Sequence, residues 1–125
     1  MKLKNKQILE AQQALGKLLN TNLPVKQAYH IKKTLESIKK QIMFIDEQRK
    51  DLIKKYGVEK EDGNFEIPVD EKEKREKFFT EYESLLEIEE EIDARKLTLD
   101  DLERVELTAN EIETIEFMIE VSELK

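Results

Sequence analysis

Residues 28–56 read AYHIKKTLESIKKQIMFIDEQRKDLIKKY, and this stretch decides the fold. Ala28, Ile31, Leu35, Ile38, Ile42, Ile45, Leu52 and Tyr56 recur at alternating intervals of three and four, with Arg49 as the single interruption. That is a heptad stripe along one helix. Ala28, Leu35, Ile42, Arg49 and Tyr56 take the a positions; Ile31, Ile38, Ile45 and Leu52 take d. Pro24 fits the first turn, where its missing N–H is not needed. Gly57 is placed to end the helix in a left-handed conformation. The resulting rod is roughly 50 Å long at 1.5 Å per residue.

One partner of ordinary length cannot cover such a spine. A first helix over residues 4–20 carries Ile8, Ala11, Leu15 and Leu18 at helical spacing, with Leu19 adjacent and Gly16 open to a close helix approach. The short Asn20-Thr21-Asn22 link returns the chain antiparallel onto the spine. This hairpin covers only the spine's first half. Met43 and Phe44 lie off the seam, at b and c, and form an apolar patch unless something covers them. The uncovered second half and this patch together predict self-association as a homodimer or higher oligomer, a dimer first.

Residues 60–68 break the helical pattern. Glu61-Asp62-Gly63-Asn64 is turn chemistry, and Phe65, Ile67 and Val69 alternate with Glu66 as in a short strand. Asp62, Asn64 and Glu66 lack the EF-hand spacing, so calcium is not implied. A third helix is expected over Asp70–Glu87, capped by Asp70, with Phe78, Phe79, Tyr82, Leu85 and Leu86 on its apolar side. Residues 90–98 leave the helical period and read as a strand pairing with 64–68. Thr98 before two acids opens a short turn. Thr108 with Glu111 forms a capping box for a last helix over Thr108–Leu124, with Ile112, Ile115, Met118 and Ile119 buried. The fold class is therefore mainly α: a long helical hairpin with a heptad-patterned spine, a minor two-stranded β element and C-terminal helices. An α+β arrangement remains open, and residues 1–125 form a single domain.

Charged residues make up 41% of the 125, and the five glycines and prolines are few, a profile of long solvated helices. There is no cysteine, which excludes disulfides and thiolate chemistry and is consistent with a cytoplasmic location. No apolar run reaches the roughly 20 residues of a membrane span. The net charge of −7 conceals two halves. Residues 1–58 carry 13 Lys/Arg against 5 Asp/Glu, a balance of +8, and residues 59–125 carry 9 against 24, a balance of −15. Either the acidic half folds back on the basic helices or docks on a neighbouring subunit, or the chain offers a basic surface for an anionic ligand or an acidic surface that mimics one. Folding back predicts that reversing Lys32, Lys33, Lys39 and Lys40 to glutamate lowers stability at low salt.

Three places in the chain carry a family resemblance. They are Leu23-Pro24-Val25-Lys26-Gln27-Ala28-Tyr29, then Lys55-Tyr56-Gly57 followed by Glu61-Asp62-Gly63-Asn64, and Val105-Glu106-Leu107-Thr108 with Ile115-Glu116-Phe117-Met118-Ile119-Glu120. In these words and their order, the chain resembles small uncharacterised proteins of tailed bacteriophages of Gram-positive bacteria. The resemblance implies a viral gene product acting inside the bacterial host cell or in virion assembly. It brings no catalytic or binding residues with it.

The residues offer little to catalysis. The one histidine, His30, has no cysteine to share a metal with. Serines 37, 84 and 122 lack a nearby histidine or glycine-rich elbow, and the three glycines form no phosphate loop. The chain reads as a non-enzyme without a cofactor. Lys26, Tyr29, His30, Lys33, Met43, Phe44 and Arg49 are the candidate ligand or partner surface. Arg49 is either a register-fixing ion-pair residue of the seam or an anion-binding group. Lysines beside an aromatic suit nucleotides, but the negative total charge disfavours nucleic acid. A protein of host or phage, or a small anionic ligand, is the expected partner. Two roles fit: a binding protein that antagonises a host function such as antiviral defence, or a virion or tail assembly factor that uses the helical seam.

Overall fold

The computed structural model describes residues 1–120. Lys2–Lys4 forms a strand, β1, and runs directly into α1, Asn5–Leu19. After a four-residue turn and Pro24, the spine α2 runs unbroken from Val25 to Tyr56. Two-residue strands follow: β2, Val58–Glu59, and β3, Phe65–Glu66. Next come α3, Lys72–Glu87, then β4, Glu89–Glu91, and β5, Leu97–Thr98. A 3-10 turn at Asp100–Leu102 precedes α4, Ala109–Thr114, and a second at Glu116–Met118 leads into β6, Ile119–Glu120. The architecture is mainly α with minor β, as the patterning requires.

The core gathers where four segments meet. Ile8, Leu15 and Leu18 of α1 face Ile31, Leu35, Ile38 and Ile45 of α2, and all are buried. Ile92, Leu97, Ile115 and Met118 close the far side. The seam is not uniform. Ala28 is exposed, and Ile42, Leu52 and Tyr56 are only half-buried. Thr34, which no apolar pattern selects, is fully buried and accepts a hydrogen bond from the Arg95 N–H at 2.8 Å.

Several expectations change. β3 pairs antiparallel with β2 across the Lys60–Asn64 turn, not with residues 90–98. So short a loop is cheap to close, and Gly63 serves it at φ +86°. β4 instead pairs with β1, and the register sets Lys2 opposite Glu91 and Lys4 opposite Glu89. Opposite charges across a strand pair favour that match. Gly57 ends α2 in an extended conformation (φ −99°, ψ 178°), not a left-handed one. It is needed for space: a Cβ there would lie 2.5 Å from the Ile53 carbonyl oxygen and 2.8 Å from that of Glu66. Gly16, by contrast, has no close neighbour.

Two helix boundaries also differ. Asp70 does not cap α3, because a turn closed by the Glu71 N–H on the Pro68 carbonyl at 3.1 Å delays the helix to Lys72. The Thr108–Glu111 capping box forms as expected. The last helix nevertheless stops at Thr114, whose hydroxyl donates to the Glu111 carbonyl at 2.6 Å and competes with the helical ladder. Ile119–Glu120 then extends to pair in parallel with Leu97–Thr98. The rest of the expected helix, residues 121–124, lies outside the described residues.

Candidate functional site

Lys26, Tyr29, Lys33 and Phe44 fall on one face of α2 at helical spacing, with Met43 on its edge. That face looks away from the core. Tyr29 is 53% exposed, Met43 72% and Phe44 48%. At the N-terminal end the Lys33 ammonium lies 5.8 Å from the Tyr29 ring centre and the Arg95 guanidinium 5.9 Å. Both are within cation–π range. Arg95 arrives from the β4–β5 connection, which the Thr34 hydroxyl anchors to the spine. His30 packs edge-on against Tyr29, half-buried, with an enclosed Nδ1 that has no hydrogen-bond partner among the described residues. Met43 and Phe44 sit about 21 Å further along the axis. The outer face thus carries two patches with exposed Lys39 and Lys40 between them.

Arg49 does not join this face. Twenty residues beyond Tyr29 it points to the opposite side of the helix. There it donates to Asp46 at 2.9 Å and, with Lys50, holds the Asp46 carboxyl below its usual range. It is an ion-paired residue at a seam position, and it also lines a groove. One cleft of about 290 Å³ lies among Arg49, Lys54 and Phe65, and a second of about 370 Å³ shares Arg49 and Phe65 and adds Arg75 and Phe79. The groove exists because α2 outruns α1. The β2–β3 hairpin folds against the spine's end at Gly57, and α3 returns antiparallel beside it. Phe78, stacked on Tyr82 and edge-on to Phe79, stiffens the α3 wall. The sequence reading missed Arg95, Phe65 and Arg75. Phe65 was legible as an alternating apolar residue, but nothing local places Arg95 against Tyr29.

The charged halves meet at specific points. Lys4 pairs with Glu87 at 2.7 Å, Lys17 with Glu111 at 2.7 Å and Lys55 with Glu81 at 3.2 Å, and the N-terminal ammonium pairs with Glu91. Their partners hold the carboxyls of Glu87, Glu91 and Glu111 below the usual range: Lys4, the N-terminus and Lys17 respectively. The Tyr56 hydroxyl, and then Lys55, lower Glu81. The acidic half does fold back on the basic helices, and the Asp93 and Arg95 N–H groups donate to the Ser37 and Thr34 hydroxyls of the spine at 3.1 and 2.8 Å, but ion pairs from it to the mid-spine lysines are not found among the described residues. Among Lys32, Lys33, Lys39 and Lys40 only Lys33 reaches a carboxylate, Glu36 on the same helix at 3.9 Å. Ion pairs at the ends of α1 and α2 join the hydrogen bonds to Thr34 and Ser37 in anchoring the acidic half, and Lys32, Lys39 and Lys40 are exposed.

Asp62 accepts from the Asn64 N–H at 3.0 Å and from its side-chain amide at 3.2 Å, which shapes the hairpin turn. Among the described residues no three His, Cys, Asp or Glu side chains are arranged to hold a metal ion, and no helix is long and apolar enough to cross a membrane. No family model, curated protein or solved structure matches the chain.

Proposed function

We propose that this is a non-enzymatic, phage-encoded binding protein acting in the cytoplasm of the bacterial host. It antagonises a host function, such as antiviral defence, by masking a host protein or sequestering a charged ligand. The observation that carries this reading is the pair Met43–Phe44, exposed on a continuous helix beside Lys39 and Lys40, which have no ion-pair partner among the described residues. Apolar side chains on a rigid element, rimmed by charge, are what a contact surface needs.

The assembly-factor reading relies on a free helical seam. That seam is occupied from within the chain by α1 and, at its far end, by α3 and the hairpin. Self-association loses one of its two motives for the same reason and rests on Met43 and Phe44. The test is affinity capture from infected host cells, with mass spectrometry of proteins and small molecules, using the native chain and a Met43→Glu/Phe44→Glu variant. A species held by the native chain and lost by the variant supports the reading. Capture of nothing by the native chain, or turnover of a captured small molecule, overturns it.

A further inference from the structure

We infer that the groove between the C-terminal half of α2, the β2–β3 hairpin and α3 docks an acidic amphipathic helix of a partner protein. The inference rests on the reading of the chain as a binding protein and names the partner's chemistry.

The groove has an apolar floor. Ile53 and Phe65 lie half-buried at its base, while Val69, 78% exposed, and Phe79, 51% exposed, leave large apolar area uncovered on its side. Its rim is cationic: Arg49, Lys50, Lys54 and Arg75. The one acidic side chain lining it, Glu66, is held by Lys60 at 2.8 Å. Four cations and one neutralised acid surround this groove in a chain of net charge −7. Asp46 occupies Arg49 and Lys50, but Lys54 and Arg75 have no ion-pair partner among the described residues. Charge complementarity therefore calls for an acidic occupant, and the floor calls for an apolar stripe on it.

Shape selects the form of that occupant. The neighbouring strands are two residues each, too short to be extended by an added strand. Two antiparallel helices with a floor between them accept a third helix, read through apolar anchors one turn apart. A bare inorganic anion gains little here, because the rim cations are open to water and the floor offers it nothing.

The test uses the full chain and a labelled helical peptide of about 16 residues, with leucine along one face and glutamate on the other. Anisotropy should show salt-sensitive binding that weakens about tenfold in a Lys54→Glu/Arg75→Glu variant. It should also weaken in Phe79→Ala, which trims a half-exposed ring and leaves the core intact. A lysine-for-glutamate version of the peptide should not bind. No binding of the acidic peptide, or equal binding by both variants, overturns the inference. So does a native dimer that either variant dissociates, since the occupant is then a second copy. Capture that depends on Met43 and Phe44 and persists while the peptide fails would sink this inference alone, leaving the broader binding function standing.

Discussion

Gln41 donates its side-chain amide to the Asn5 side-chain oxygen, Oδ1, at 3.0 Å, joining the middle of the spine to the first residue of α1. Asn5 is 1% exposed, and its own amide donates to the Leu85 carbonyl at 2.8 Å while its backbone N–H donates to that of Ile88 at 2.9 Å. One asparagine thus ties together α1, α2 and the end of α3. Removing it leaves the Leu85 carbonyl and the Gln41 amide without these partners. Asn5→Ala should lower unfolding free energy by about 1–3 kcal/mol in urea titration. Gln41→Ala, at a half-buried position, should cost less. Equal stability of Asn5→Ala and the native chain would show that the junction carries no energy.

Gly57 permits the contact that builds the groove wall. A methyl group there collides with two carbonyl oxygens, those of Ile53 and Glu66, and both belong to backbone that cannot swing aside. Gly57→Ala should destabilise by about 1–3 kcal/mol, the usual range for overpacking, and should loosen the hairpin. Amide exchange at Lys60, whose N–H bonds the Asn64 carbonyl at 2.7 Å, reports it. Protection at Lys60 equal to that of the native chain would rule out this role.

Ile45 and Ile42 share the heptad stripe but not its burial. Ile45 is 1% exposed, whereas Ile42 is partly open. A carboxylate at Ile45 has no partner and no water, so Ile45→Asp should cost several kcal/mol and leave the chain unfolded at room temperature. Ile42→Asp should melt lower but remain folded. Circular dichroism distinguishes the two, and a reversed order of severity would mean the seam is rotated.

The difference between those residues marks how far the sequence could be read. Periodicity located α1, the spine and the Thr108–Glu111 cap, because each rests on spacing within one segment. It could not say that Ala28 is exposed or Ile42 half-covered, since those depend on where α1 ends and α3 arrives. The β1–β4 pairing was legible in principle: Lys2 and Lys4 alternate around Leu3, and Glu89-Glu90-Glu91 is their charge complement. The candidate surface separated for a similar reason. Tyr29, Lys33, Met43 and Phe44 share a face by helical spacing, whereas Arg49 was grouped with them by chemistry, and 20 residues of helix turn it to the opposite side.

Acid should destabilise the protein in a defined window. Glu87, Glu91 and Glu111 titrate lower in the folded chain than in the unfolded one, because each carboxylate faces a cation. A depressed folded pKa contributes stability that is complete above the unfolded value, about 4.3 for glutamate. That stability is lost as pH falls through the folded value. The melting temperature should therefore hold near neutrality and drop below about pH 4. The raised Lys4 pKa works in the opposite sense, contributing below the unfolded lysine value and failing only as pH climbs past it. Because these pairs are at the surface, 0.5 M salt, roughly three times physiological ionic strength, should flatten the acid limb. A steep limb unchanged by salt would place the titrating groups elsewhere.

The last prediction concerns Lys32, Lys33, Lys39 and Lys40. Had the acidic half docked on them, reversing all four to glutamate would break several ion pairs and lower the melting temperature at low salt. The structure gives them a single partner among the described residues, Glu36, at 3.9 Å within the same helix and at the surface, and such a pair is worth about 0–1 kcal/mol. The four lysines instead stand as two adjacent pairs, Lys32-Lys33 and Lys39-Lys40, six to eight residues apart, so none repels another at the three- or four-residue spacing that matters on a helix. Reversal removes that weak pair and sets new carboxylates three or four residues from Glu36, each costing a few tenths of a kcal/mol, so stability should stay level or fall slightly at low salt. Binding should change far more, since the same residues flank Tyr29 on one side and Met43 on the other. A capture experiment run beside the melt separates the outcomes. A level melt with lost capture fits lysines held free for a partner, while a clear low-salt drop that 0.5 M salt erases would mean that carboxylates of the acidic half reach these lysines in solution.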